Sequence, residues 1–435
     1  MGKWKDICLS EIAEVFPSNV DKVISSTELP VLLCNYMDVY YKKFIHRKLS
    51  FSNGSVRPSE FKKFQLYFGD VIVTKDSETP NDIGMPAVVV DNMDNLVCGY
   101  HLAIIRADQS KYDGVFLMYA LQGEKPIRYF SNMCNGLTRY GLTTTVLEKQ
   151  KIYIPIDVDE QRKIAEIITT VDEAIDNTRT LIEKYITIKT GLMQDLLTNG
   201  IDEHGKIRSS KTNKYKDSPL GRIPVEWDIV ELLEWSTKQS DSIVDGPFGS
   251  NLKLIHYRDS GIPVIQSGFV TTGKFVAKKY VFVDEAKFIE QYRCRVYPLD
   301  IIISKIGAQC GRCAVLPLSH PVSIIAGNCI KMTVDKNNNP YLLHELLSYY
   351  YQLGYFDLIM SVTAQPAINL TKLKKLKVVF IPKEEQERIY QVILSVNNKI
   401  QTERDYLAKL QDIKKGLMKD LLTPPPDGVS VDPLL

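Results

Sequence analysis

The 435-residue chain is short of the residues on which most metal and nucleophilic sites are built, with 6 histidines, 8 cysteines and 3 tryptophans. No histidine stands at metal spacing or beside an obvious nucleophile. The cysteines are scattered singly apart from Cys310-Gly-Arg-Cys313, which excludes the dense framework of a small secreted domain and predicts free thiols. No apolar run approaches the ~18–20 residues of a membrane span. The start, Met1-Gly2-Lys3-Trp4-Lys5-Asp6, leads into no apolar signal segment, so a cytoplasmic location is expected. A surplus of one charge is missing too: 54 Lys plus Arg face 52 Asp plus Glu, a net charge of +2. No global field draws in nucleic acid, and any DNA affinity must come from local patches.

What is present reads as globular. Hydrophobic residues are 44% and charged residues 24% of the chain, which excludes disorder, and the length suggests about two to four folding units.

One long self-similarity sets the organisation. Residues 160–198 align without a gap to 385–423 with 17 identities in 39 positions, closing on Gly191-Leu-Met-Gln-Asp-Leu-Leu-Thr198 and Gly416-Leu-Met-Lys-Asp-Leu-Leu-Thr423. A period of 225 residues is too long for a solenoid and fits a duplicated half-molecule. In each copy apolar residues recur at spacings of four and three, the pattern of a long helix with one apolar seam. The first seam is Ile164, Ile168, Val171, Ile175, Ile182 and Tyr185; the second is Ile389, Ile393, Val396, Ile400, Leu407 and Leu410. Both skip one position, at Thr178 and Glu403, and both then shift, to Ile188, Leu192 and Leu196 and to Ile413, Leu417 and Leu421. Ile-Pro stands just upstream of each run (Pro155, Pro382), and Asn199-Gly200 or Pro424-Pro425-Pro426 follows, so boundaries fall there. Forty residues make a rod of roughly 60 Å. Such a rod cannot bury its seam on itself, and the nearest partner is the other copy in the same chain.

The segments ahead of the helices are alike in kind. Gly69-Asp70-Val-Ile-Val-Thr-Lys75 parallels Leu299-Asp300-Ile-Ile-Ile-Ser-Lys305, Pro86–Val90 parallels Cys313–Pro317, and Leu29–Leu32 parallels Ile262–Ile265. These are short β-rich runs, with helical patterns near 115–122 and 341–353. The expected fold class is α+β: two mixed α/β domains separated by two long helices that form an antiparallel intramolecular coiled coil. The expected boundaries are domain 1 at 1–157, helix 1 at 158–198, a linker at 199–217, domain 2 at 218–382, helix 2 at 383–423 and a tail at 424–435. The polar, basic stretch 199–226 reads as a surface linker.

Motifs for catalysis fail on inspection. Gly268-Phe-Val-Thr-Thr-Gly273-Lys274 has phosphate-loop spacing, but Phe275 stands where the Mg²⁺-binding Ser or Thr belongs, and a strand pattern follows instead of a helix. Asn339-Pro340-Tyr341 lacks one proline of the Asn-Pro-Pro-Tyr element of amino methyltransferases, and no glycine-rich cofactor loop precedes it. A metal-dependent nuclease would place an acid two residues before Lys75 or Lys305, where Val73 and Ile303 stand. Cys310 and Cys313 supply at most half a zinc site. No metal and no cofactor is expected on this chain, and no catalytic residue.

Basic residues interleaved with aromatics occur in both domains, a composition suited to phosphate contact and base-edge reading or, equally, to a solvated strand face. The candidates are Lys42, Lys43, Arg47, Lys48, Arg57, Lys62 and Lys63 in the first domain. In the second they are Lys274, Lys278, Lys279, Arg293, Arg295 and Arg312. Residues 218–382, with 18 basic against 14 acidic side chains, are the most basic segment. Two readers held apart by a rod could engage two half-sites on one face of a duplex, whose turn repeats every ~34–36 Å.

The plan, with Ile-Pro, then Glu-Gln, then a long helix ending Gly-Leu-Met-x-Asp-Leu-Leu-Thr, resembles the DNA specificity (S) subunit of type I restriction-modification systems. Gly221-Arg-Ile-Pro-Val-Glu-Trp227, Asp245-Gly-Pro-Phe-Gly-Ser250 and Gly307-Ala-Gln-Cys-Gly-Arg312 are similar to motifs of that family's target recognition domains. The first domain departs from them, with Phe16-Pro-Ser-Asn19 and Lys75-Asp-Ser. The resemblance implies a pseudo-twofold dumbbell in which two target recognition domains each read one half of an asymmetric, bipartite double-stranded DNA target and the helix pair sets the unread spacer. It implies that two modification subunits using S-adenosylmethionine and two restriction subunits using ATP and Mg²⁺ do the chemistry, with no membrane involved. Arg162, Lys163, Arg388 and Lys409, on exposed helix positions, are candidates for docking the modification subunits. Two other classes compete. A coiled-coil structural adaptor would form a stable dimer without DNA or partners, and a self-contained DNA methyltransferase would bind S-adenosylmethionine by itself.

Overall fold

A computed structural model describes residues 3–211, 213–361 and 365–424. The expected tail, apart from Pro424, lies outside the described residues. The chain divides into two units, one of residues 1–181 with 403–435 and one of residues 182–402. Each contains one α/β domain and parts of both long helices, Val158–Thr198 and Lys383–Leu421.

The two units share a plan. In the first, strands Trp4–Cys8 and Lys151–Pro155 pair antiparallel, so the domain opens and closes at one place and hands the chain straight to the first long helix. Its main sheet orders Ala13–Pro17, Leu102–Ala107, Val71–Thr74, Pro86–Val89 and Phe44–Ile45. The central strand Val71–Thr74 is buried along its length, which its unbroken apolar run requires. A smaller sheet of Ser52–Val56, Leu29–Cys34 and Leu96–Cys98 packs beyond it. In the second unit Asp228–Glu231 and Lys377–Phe380 make the closing pair. The main sheet orders Ile243–Asp245, Cys329–Met332, Ile301–Ser304 and Cys313–Val315, and a second sheet orders Val281–Val283, Ile262–Ile265, Ser323–Ile325 and Arg295–Val296. Of the strand pattern at 276–283, only the last three residues join a sheet. All eight cysteines are thiols.

Each domain seats a short helix against a long one, Gly114–Leu121 in the first unit and Pro340–Gln352 in the second. The junction is the same in both. Gln161, fully buried, accepts a hydrogen bond from the backbone N of Asp113 (2.8 Å) and donates to the carbonyl of Pro155 (2.9 Å). Gln386 accepts from Asn339 N (2.8 Å) and donates to Ile381 O (2.8 Å). Asp113 and Asn339 cap the short helices with their side chains. One buried amide therefore ties strand end, helix cap and long helix together, and satisfies groups that would otherwise be buried unpaired.

The long helices run antiparallel within each unit. In the first, Ile164, Ile168 and Ala165 share a core cluster with Leu422, Met418 and Leu421. In the second, Met193, Leu196 and Leu197 share one with Ile389 and Ile393. Ile175, Ile182, Ile400 and Leu410 are buried, while Val171, Tyr185, Val396 and Leu407 are half-buried.

The shifted end of the seam departs from the apolar pattern. Ile188 and Ile413 are 45% and 52% exposed, and the next residue of each pair, Lys189 and Lys414, turns inward instead. Lys414 Nζ lies 2.7 Å from Asp172 Oδ1, and Lys43 Nζ reaches the same oxygen at 2.7 Å. Tyr119 Oη donates to Asp172 Oδ2 at 2.8 Å. Lys189 Nζ stands 3.8 Å from Glu345 Oε2. A lysine can occupy such a position because its aliphatic stem packs while its ammonium finds a carboxylate.

The stretch 199–226 is also not a free tether. Ile201 and Arg208 are buried, Tyr215–Ser218 and Gly221–Pro224 form a hairpin, and buried Glu385 accepts from Ile201 N (2.9 Å), from both terminal nitrogens of Arg208, and from Trp227 Nε1 (3.1 Å). A buried carboxylate needs that full set of donors.

Burial alone would raise the Asp172 carboxyl, but the two lysines hold it below the usual range. Lys414 is pushed down to about 8, first by burial and then by Lys43 beside it. Two ammoniums share one carboxylate, so the carboxylate gains and the more buried lysine does not. Asp172→Ala is expected to cost the first unit roughly 3 kcal/mol near neutral pH, less whatever water recovers at half-open Lys43. A depressed carboxyl stabilises above its unfolded value and the benefit goes as pH falls through the folded one, so the gap to wild type is expected to close below about pH 4. Denaturant unfolding of both proteins between pH 3 and 7.5 measures this.

Candidate nucleic-acid interface

At the end of each central strand stands a lysine whose charge is met at once. In the second unit Lys305, 6% exposed, follows Ile301–Ser304, and its Nζ lies 2.7 Å from Asp245 Oδ2. The ammonium also sits 3.7 Å from the ring centroid of Phe248. Phe248 itself is 57% exposed. Asp245-Gly-Pro-Phe248 is therefore a loop whose carboxylate and ring are both fixed by one buried lysine, leaving the outer ring face open. Gly246 is required here, since a Cβ would meet the Ala326 carbonyl at 2.0 Å. Gly311, at φ +94°, lets Arg312 turn back so that its guanidinium stands over Tyr351 at 5.2 Å.

In the first unit the corresponding Lys75 follows Val71–Thr74 and finds its carboxylate next door: Asp76 Oδ2 lies 2.9 Å from Lys75 Nζ and 2.5 Å from His101 Nδ1. Burial acts to raise the Asp76 carboxyl, but hydrogen bonds from Lys75 and His101 outweigh it and hold it below the usual range. Arg139 approaches His101 Nε2 at 3.0 Å, and exposed Tyr100 lies against His101 with centroids 3.8 Å apart and planes tilted by 54°. His101 adopts φ +72°, uncommon without glycine and a mark of a constrained loop. Both units thus present an exposed aromatic ring beside a cation already neutralised by the protein, one built from neighbouring residues and the other from two strands.

Apart from Arg312, whose carbonyl accepts from Ser304 N beside Lys305, the candidate basic residues fall elsewhere. Lys42, Lys48, Lys62 and Lys63 are exposed, Arg47 pairs with Asp91 and Arg57 with Glu60, and Lys43 is committed to Asp172. Lys42, Lys43, Arg47 and Lys48 flank the edge strand Phe44–Ile45 of the main sheet, whereas Arg57, Lys62 and Lys63 belong to the helix after Ser52–Val56 of the smaller one. Lys274, Lys278 and Lys279 are exposed on the loop leading to Val281–Val283. Arg293 is exposed, and Arg295 lies over the Phe288 ring at 4.3 Å on Arg295–Val296, the opposite edge of that sheet. The two basic groups of the second domain are thus separated by three strand spacings, about 14 Å. The centres at Lys75 and Lys305 are not among the candidates, although the parallel between the two strand runs marks both positions.

Among the described residues no group of three or more His, Cys, Asp or Glu side chains could hold a metal ion, and no helix is long and apolar enough to cross a membrane.

Residues 1–185 and 249–412 match the family model for the type I restriction modification DNA specificity domain, and the chain belongs to that family. It is similar to the putative type I restriction enzyme MjaX specificity subunit of Methanocaldococcus jannaschii, 23% identical over 425 residues, 97% of this chain and 93% of that one. It is also similar to the MjaVIII specificity subunit of the same organism, 25% identical over 72% of this chain and 70% of that one. The crystal structure of a type I restriction-modification S subunit from M. genitalium superposes with a TM-score of 0.57 at 15% identity, covering 98% of this chain and 97% of that one. A chain from a structural study of complex assembly and conformational transition in the type I system gives 0.56 at 17% identity, with 97% of each chain covered. The protein is a DNA-specificity subunit of a type I restriction-modification system.

Two classes of substitution separate reading from charge attraction. Phe248→Ala is expected to reduce discrimination of cognate from random duplex by about 1–3 kcal/mol, the cost of one base pair no longer read at its edge. Lys278→Ala with Lys279→Ala is expected to weaken binding to all duplexes alike and to reduce the slope of log K against log salt by about one for each phosphate no longer neutralised. Salt-dependent binding titrations of the complex distinguish the two.

Proposed function

We propose that each domain reads one half of a bipartite, asymmetric target and that the helix pair sets the length of the unread spacer. The observation that carries this is the buried glutamine junction. Gln161 and Gln386 fix each short helix and strand end to a long helix by hydrogen bonds in the core, so a domain cannot turn without breaking them. The unlike cation centres, Lys75-Asp76-His101 in one domain and Lys305-Asp245-Phe248 in the other, support unlike half-sites. The domains run from 1–157 and 218–382, the helices occupy 158–198 and 383–423, and the candidate basic residues contribute phosphate contact around the reading loops. Two modification subunits and two restriction subunits complete the assembly, bringing S-adenosylmethionine, ATP and Mg²⁺.

Deleting four residues from both long helices at corresponding positions is expected to change the spacer and leave both half-site sequences intact. Exchanging residues 218–382 for another domain of the family is expected to change one half of the target only. Methylation mapping of a genome carrying each variant together with its partner subunits gives the outcome, and a change in both halves after the exchange contradicts modular reading.

A further inference from the structure

The two short-helix junctions correspond atom for atom at Asp113 and Asn339, whose backbone N groups bind Gln161 and Gln386. That correspondence places Val115 opposite Tyr341, and the helix repeat places Ala165 opposite Tyr390. In the second unit the two tyrosines stack, centroids 5.2 Å apart and planes 12° from parallel, and fill the angle between short and long helix. In the first unit Val115 and Ala165 leave that angle open as a groove of about 360 Å³.

The walls of the groove are acidic. Glu166 and Glu173 line it and have no ion pair among the described residues. Asp113 spends its carboxylate on capping Phe116 N at 2.8 Å, and Arg162 is paired with Asp159 at 3.0 Å. The groove thus has an apolar floor where the other half carries aromatic rings, and two uncompensated carboxylates above it.

We propose that this groove is a docking site, present in one half only, for an aromatic side chain flanked by lysine or arginine on a partner polypeptide. The second unit shows that an aromatic ring fits against this pair of elements. The carboxylates select the flanking charge and add a cation to the ring's own contact. Because the second unit fills its own groove, a partner that carries such a residue distinguishes one half of this duplicated chain from the other.

The test uses the full chain and a pentapeptide, acetyl-Lys-Lys-(5-fluoro-Trp)-Lys-Lys-amide, followed by ¹⁹F NMR. Wild type is expected to bind one equivalent, and the same peptide with leucine at the centre at least tenfold more weakly. Val115→Tyr with Ala165→Tyr, which builds the pair found in the other half, is expected to abolish binding. Glu166→Gln with Glu173→Gln keeps the groove and is expected to weaken binding at least threefold while flattening its salt dependence. This second variant decides the matter if the first does not fold. Tyr341→Val with Tyr390→Ala is expected to open a second, weaker site. No binding by wild type at millimolar peptide, equal binding of the leucine peptide, or undiminished binding by a folded tyrosine-filled variant would each overturn the proposal.

Discussion

A helix of some forty residues with an apolar seam along one side has no means of burying that seam alone, and this one constraint organises the protein. Each unit answers it in the same way, laying the beginning of one long helix against the end of the other, with Ile164 and Ile168 beside Met418 and Leu422 in the first and Ile389 and Ile393 beside Met193 and Leu196 in the second. The apolar contact is non-directional and would tolerate sliding. What removes that freedom is polar: Glu385 with Ile201 and Arg208, which follow the end of the other long helix, and the inward lysines Lys189 and Lys414. Each buried polar group has partners at one register only, so a slip by one turn leaves several of them unpaired.

The duplication conserves the positions of these devices more than their chemistry. Asp172 on the first long helix receives Tyr119 from the short helix and Lys414 from the second long helix. At the matching places of the second unit stand Asn397, Glu345 and Lys189, and the ion pair runs from Lys189 to Glu345. The carboxylate has moved from the long helix to the short one while the lysine kept its place. The cation centres behave likewise, since Lys75 and Lys305 hold equivalent positions but take their carboxylates from Asp76 and from Asp245 on another strand. Two halves can thus hold one scaffold and carry unlike loops at their central strand ends.

Much of the scaffold is legible in the sequence because periodicity and boundary residues act locally. The gapless repeat, the seam spacing and the Ile-Pro boundaries lead to helices that the structure places at Val158–Thr198 and Lys383–Leu421. The paired strand runs, such as Val71–Thr74 with Ile301–Ser304, are visible for the same reason. The errors have a common origin in side chains with two characters. Hydrophobicity assigns Ile188 and Ile413 to the seam, yet Lys189 and Lys414 face inward, because their carboxylate partners come from elements 242 residues away for Lys414 and from the neighbouring domain for Lys189. The stretch after Thr198 reads as a tether because its composition is polar. Within it Ile201 and Arg208 are buried on Glu385, 177 residues from Arg208, while most of the stretch stays at the surface. Lone basic residues stand out in a sequence as candidate contacts, whereas a neutralised lysine at a strand end is recognisable only with Asp245 and Phe248 beside Lys305.

The near balance of charge follows from the same architecture. Lys43, Lys305, Lys414 and Arg106 are spent on Asp172, Asp245, Asp172 and Asp70, all within the fold. Lys331 is buried with its ammonium on the Arg295 carbonyl. These charges hold loops and helices in register and release no counterions from a phosphate backbone, which is where non-specific affinity originates. Rings and donors held in place beforehand cost little to order when a ligand binds. A net charge of +2 over 435 residues leaves the chain without a global field for a phosphate backbone.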